Sequence, residues 1–193
     1  MLKTVLTSAA ALTAFAGAAL AAPEEYTIDT SHAQIVFSYD HLGFSTTTGM
    51  FGDITGTITF DAEDPAASSV NATFPVASLL TGFQGRDEHF ASPDFFGAEG
   101  AAPEVTFVST GIEVTGENTA LITGDLTLNG VTQEVVLDTV LNQQGTHPME
   151  QKPWLGFDAT TTLTRSEWNL GMFAPAVSDE VEVSISIEAM QAD

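Results

Sequence analysis

The sequence predicts an all-β protein, an antiparallel barrel crossed by a short helical flap. Apolar and polar residues alternate with period two in one segment after another, and no segment carries an amphipathic helix of any length. The alternation stops between Gly82 and Pro103, where Phe83, Phe90, Phe95 and Phe96 gather beside Arg86. A bulky apolar segment interrupting a run of strands is placed to plug or wall the core that they enclose. A sandwich satisfies the same alternation, but long strands with few short turns suit closure better. The pattern gives about eight or nine strands, and an eight-stranded barrel has room for its own side chains or for one ligand.

In chain order, residues 1–21 read as a signal peptide. Lys3 supplies a minimal positive start, Val5 to Leu20 is apolar and Ala-rich, and Ala19-Leu20-Ala21 is a small-x-small cleavage site. The apolar stretch is short for a bilayer span and has no basic stop-transfer flank. The mature chain should begin at Ala22, leaving 22–193 as one domain exported to the periplasm without stable membrane anchoring.

Tyr26–Asp29 and Gln34–Asp40 read as a strand pair or as one kinked strand. From Gly49 to Asp61 the alternation is clean, with Ile54, Gly56, Ile58 and Phe60 on one face, as expected of a strand with one wet side. Asp64-Pro65 marks a turn, and Val70, Ala72 and Phe74 share a face of the next strand. Within the flap, Ser92 as N-cap, Pro93 and a left-handed Gly97 predict one helical turn over Pro93–Phe96, and Gly85–Phe90 offers another. Glu104–Thr110 and Ile112–Thr115 resume the strand pattern. Thr119–Leu128 and Val131–Leu141 flank Asn129-Gly130, whose residues suit the positive φ values of a type I′ hairpin turn. Gln143–Trp154 reads as a polar loop. Leu155–Thr164 then carries Phe157, Ala159, Thr161 and Leu163 on one face, and the last strand points Val181, Val183, Ile185 and Ile187 one way. Gly49, Gly52, Gly56, Gly124 and Gly156 are expected bend points.

The composition narrows the function. There is no cysteine, which removes disulfides, thiolate metal sites and cysteine nucleophiles. Four Lys and Arg against 26 Asp and Glu give a formal net charge of −22, a field that repels phosphate backbones and excludes nucleic acid as a partner. Scattered single histidines (His32, His41, His89, His147) point to no metal, since Asp87-x-His89 and Asp40-His41 are weak pairs. Asp87, His89 and Ser92 lie too close in sequence on a short helix to converge as a hydrolytic triad, and no nucleophile elbow, phosphate loop or dinucleotide fingerprint is present. No catalytic residue is expected. Arg86 has two readings: a structural fork to Asp87 or Asp94 that pins the flap, which is the favoured one, or a contact to a polar ligand head.

Taken in order, several blocks resemble the YceI-like family of exported, lipocalin-like proteins regarded as polyisoprenoid-binding. They are Ile28-Asp29-x-x-His32, Phe37 with His41-Leu42-Gly43, Gly49-x-Phe51 followed by Gly56-x-Ile58-x-Phe60, and Arg86-Asp87-Glu88-His89 with Asp94-Phe95-Phe96. Pro103 and Phe107 follow, then Gly124-x-Leu126-Thr127-Leu128-x-Gly130-Val131-Thr132, Arg165 near Trp168, and Val177-x-Asp179-x-Val181. The resemblance spans about Tyr26 to Met190. Ala33, Phe90 and Trp168 depart from the family pattern, and the larger aromatics would narrow the cavity. The resemblance implies a lipocalin-like barrel holding an isoprenoid, such as a quinone tail, or a comparable long-chain amphiphile, with no other cofactor. The expected cavity lining is Phe37, Phe51, Ile58, Phe60, Phe74, Phe83, Arg86, His89, Phe90, Phe95, Phe96, Phe107, Leu126, Phe157 and Trp168. Rival readings are an enzyme acting on such a lipid, with His89 as base, and an exported stress-related barrel filled by its own side chains. A homodimer is left open.

Overall fold

The computed structural model describes residues 22–98 and 102–192, so the signal peptide expected at 1–21 lies outside the described residues. The described residues form one antiparallel sheet of β1 (Glu24–His41), β2 (Ser45–Phe51), β3 (Thr55–Phe60), β4 (Ser69–Pro75), β5 (Glu104–Val114), β6 (Thr119–Leu128), β7 (Val131–Thr146), β8 (Pro153–Thr164) and β9 (Glu180–Gln191). A short helix, α1 (Gln84–Phe90), lies between β4 and β5. Because β1 pairs with β9 as well as β3, the sheet closes into an eight-stranded barrel, with β2 added along the second half of β1.

The opening segment is one kinked strand. The first half of β1 pairs with β3, its second half with β2, and β9 follows it on the other side. A bulge between Ile28 and Ala33 shifts the pairing register. It changes which parity faces inward: Tyr26 and Ile28 are buried before it, Ala33 and Phe37 after it. The same device joins two expected strands into β5. A bulge between Ser109 and Gly111 lets Val105 and Phe107, then Ile112 and Val114, reach the same interior.

Three boundaries depart from the sequence reading. The segment from Gly49 to Asp61 is broken between β2 and β3, where Asp53 takes φ 54°. Alternation survives within each half, so periodicity alone could not reveal the break. The polar run Gln143–Thr146 belongs to β7, not to a loop, and pairs with Pro153–Gly156 beyond a bulge at Leu141. Its side chains face solvent and its backbone still needs partners, which the neighbouring strand supplies. In the flap, Gln84–Phe90 is the helix, whereas Pro93–Gly97 is a run of turns in which Ser92 O accepts from Phe95 N and Gly97 N. Gly97 is not left-handed. It is required because a Cβ there would meet the Ala91 carbonyl at 2.1 Å.

The Asn129-Gly130 turn has the predicted geometry, with φ 51° and 77°. Two of the expected bend glycines also make room for rings. Gly49 sits opposite Phe37 and Gly124 beneath Phe107, each in space where a Cβ would strike the ring at 2.4 Å. Phe37 and Phe107 can therefore lie flat along the wall.

Candidate functional site

The barrel interior is a cavity of about 670 Å³, within the range of small-molecule sites. Every strand contributes to its wall. The inward faces of β4, β8 and β9 supply Val70, Ala72 and Phe74, then Phe157, Ala159, Thr161 and Leu163, then Val181, Val183, Ile185 and Ile187. A 12-residue strand such as β8 is about 40 Å long and, tilted as barrel strands are, stands about 30 Å tall. The cavity is thus long and narrow.

All of the residues expected to line it do so, from Phe37, Phe51, Ile58, Phe60 and Phe74 on the early strands to Phe107, Leu126, Phe157 and Trp168 on the later ones. Phe83, Arg86, His89, Phe90, Phe95 and Phe96 come from the flap and close one end. The closure is aromatic. Phe90 stands edge-on to Phe37 and Tyr39 at centroid distances of 6.3 and 6.4 Å, and packs on Phe95 at 5.1 Å. Phe96 is edge-on to Phe51 at 6.2 Å. Phe83 is 65% exposed, at the outer lip. The flap is tethered by β2, since Met50 and Leu80 exchange two backbone hydrogen bonds of 2.9 Å. β2, paired along its length with β1, therefore ties the flap to the barrel wall.

Trp168 lies on the cavity wall. It is 1% exposed, its indole donates to Leu126 O, and Asn129 Nδ2 donates to its carbonyl at 3.0 Å. Asn129 thus makes the hairpin turn and anchors the aromatic that packs behind it.

Arg86 is not the expected fork. Among the described residues it has no carboxylate within ion-pair distance, and its Nη1 donates to Thr81 O at 3.2 Å. Asp87 is engaged by the Thr81 backbone N–H at 2.9 Å and by its hydroxyl, while Asp94 meets His89 Nε2 at 3.3 Å. Neighbours in sequence on a helical turn diverge in space, so the acid next to Arg86 is not beside its guanidinium. With Asp87 on Thr81, Ser92 Oγ accepting from Asp94 N and His89 on Asp94, the side chains of Asp87, His89 and Ser92 are not hydrogen-bonded to one another.

The pinning role falls to Arg165, which the sequence reading quoted without assigning a function. Its guanidinium donates to the carbonyls of Leu170, Met172, Val177 and Ser178, holding the 169–178 loop over the mouth. Burial lowers its pKa against the opposing pull of Asp179. That loop presents Phe173 to His89 at 6.0 Å and to Phe95 at 6.4 Å. Phe173 and Met172 escaped sequence reasoning because a loop held by one side chain has no periodicity. Tyr39 and His41, also on the wall, were legible from the alternation of β1.

The chain's similarity to known proteins agrees with this geometry. The sequence profile of the YceI-like domain matches residues 26–189. A "UPF0312 protein" of Pseudomonas savastanoi pv. phaseolicola is 39% identical over 197 residues, covering 99% of both chains. The crystal structure of Burkholderia cenocepacia BcnA superposes with a TM-score of 0.74 at 26% identity, over 83% of this chain and 98% of that one. A structure described as a polyisoprenoid binding domain from Saccharophagus degradans, implicated in plant cell wall breakdown, shares the fold with a TM-score of 0.64. Its identity is 12%, over 86% of this chain and 98% of that one.

Proposed function

From the premise that the chain belongs to the YceI-like domain family, we propose that it is a periplasmic carrier that sequesters an isoprenoid, such as a quinone tail, or a comparable long-chain amphiphile. The observation that carries this reading is the 670 Å³ cavity, whose wall is aliphatic and aromatic along the barrel. Each CH₂ moved from water into such a wall contributes about 0.8 kcal/mol, so a chain threaded along it binds without charge pairing. Arg86, His89, His41 and Ser45 line the wall by the flap, and Ser68, Ser69, Glu117, Asn118 and Thr119 line it at the β5–β6 end. An apolar chain along the barrel with a polar head at one end fits that lining. In this reading the protein acts by enclosure, and the His89–Asp94 pair at the mouth, packed on Phe95 and Phe173, is where the rival catalytic reading would place its base.

Native mass spectrometry of protein purified from its own host, followed by solvent extraction, tests the reading. The expected result is a bound isoprenoid-chain or similar lipid, recovered unchanged after incubation with the protein. Recovery of an altered lipid would make the protein an enzyme. A protein that neither carries lipid nor takes up a long-chain isoprenoid quinone from detergent would be a barrel filled by its own side chains. N-terminal sequencing of the periplasmic form should begin at Ala22, and an intact Met1 in the cytoplasm would overturn the export.

A further inference from the structure

We propose that Asp29, His32 and Glu188 form a binding site for a divalent transition-metal ion of the zinc class on the outer wall of the barrel, away from the lipid cavity. Their placement follows from the kink in β1. Ile28 pairs with Ala189 and Ala33 with Ile187, so the five-residue step along β1 faces a two-residue step along β9. The extra chain loops outward beside Glu188, bringing Asp29 and His32 to it. One ligand atom from each of the three lies within 4.8 Å of the others, a spacing that a single ion can bridge.

The donors are held from outside the trio. Asp29 Oδ1 accepts from Ser31 N at 3.0 Å and from Ser31 Oγ at 2.8 Å, while its Oδ2 meets His32 Nδ1 at 2.7 Å. Glu188 Oε2 accepts from the Trp154 indole at 2.8 Å, and Trp154 is stacked on His147 with centroids 4.6 Å apart. Carboxylates oriented by second partners in this way keep their aim when a metal arrives. The Asp29 side chain is 18% exposed and that of His32 62%, so an ion has an entry path and room for water ligands.

The chemistry selects the ion. An imidazole between two carboxylates suits zinc and its first-row neighbours, whereas calcium and magnesium prefer oxygen donors throughout. Two carboxylates and a neutral imidazole carry a charge that a divalent ion matches. A Ser31–His32–Asp29 relay is excluded by geometry. Ser31 Oγ and Asp29 Oδ2 approach the same ring nitrogen, so no proton passes through the ring from one to the other.

Zinc titration of the mature protein by calorimetry, with magnesium in large excess to occupy the dispersed surface acids, should show one equivalent bound. His32→Ala and Glu188→Gln should each weaken binding at least tenfold, and Asp64→Asn, on a distant turn, should leave it unchanged. Nickel or copper should quench Trp154 fluorescence in the parent, and the quench should be lost in His32→Ala. Equal zinc binding by His32→Ala, or no stoichiometric binding over magnesium, would overturn the site. Should His32→Ala fail to fold, Glu188→Gln decides alone.

Discussion

At the scale of single residues, the two arginines of the mouth do different work. Arg165 saturates four loop carbonyls, a geometry that only a planar fork supplies. Arg165→Lys keeps the charge but cannot reach them all, and should cost about 2–4 kcal/mol in urea denaturation. Arg86 makes one carbonyl hydrogen bond, so Arg86→Lys and Arg86→Gln should each shift the stability of ligand-free protein by less than about 1.5 kcal/mol. If Arg86 meets the ligand head, the Lys form retains part of the affinity for an acceptor-headed lipid and the Gln form little. Equal affinities in a lipid-retention assay would remove Arg86 from the head site. Tyr26 gives a pH dependence. It is 1% exposed, and burial, followed by its hydrogen bond to Glu24 and the Glu24 charge, pushes its phenol up to about 12. In the unfolded chain it titrates near 10, so folding is favoured fully below pH 10. That contribution, at most about 2–3 kcal/mol, is lost as pH rises from 10 to 12, because the unfolded state sheds its proton first. Tyr26→Phe should flatten this segment of the stability curve, and an unchanged slope would show that the phenol does not titrate with folding.

At the scale of elements, the β6–β7 hairpin and the flap illustrate opposite kinds of legibility. The hairpin is local: both central residues have positive φ, and the residue types announce it. Gly130→Val forces a β-branched residue to φ 77° and should destabilise by about 1–3 kcal/mol, measured as a shifted denaturation midpoint. The flap was recognisable from its aromatics, and of the two helical turns expected in it the one at Gly85–Phe90 forms, as Gln84–Phe90, while Pro93–Phe96 does not. Ser92 and Pro93 are good helix-start residues, yet Gly97 is needed at Ala91 O for close packing, and the chain turns there instead. Capping preferences describe one local competition, and a close backbone contact within the flap decided it.

At the scale of the whole molecule, closure turns alternating strands into a container. The pairing of β1 with β9 joins the two ends of the sheet and puts each inward face on one cavity. The cavity has no substitute for a ligand's buried surface, so occupancy should be visible in stability. At a lipid concentration of 100 times Kd the folded state gains about 2.7 kcal/mol, which for a chain of this size is roughly 5–11 °C in Tm. Calorimetry of delipidated and reloaded protein checks this, and coincident melting curves would mean that the lipid does not enter. The net charge of −22 acts at the same scale, repelling anionic surfaces and drawing cations toward the outer wall.

The sequence by itself determined the antiparallel β class, the hairpin turn and which apolar residues of each strand share a face, because period-two alternation is a local property that survives any closure. It also marked the flap, since a phenylalanine-rich stretch without alternation has no place within a strand. Only the tertiary structure decided where the bulges fall, and these set the parity of β1 and β5 on either side. It alone separated Arg86 from Asp87 and Asp94 and tied Arg165 to the carbonyls of Leu170, Met172, Val177 and Ser178. It alone brought Glu188 to Asp29 and His32. Those outcomes depend on which strand lies beside which and in what register, and that is fixed by packing the closed sheet as a whole.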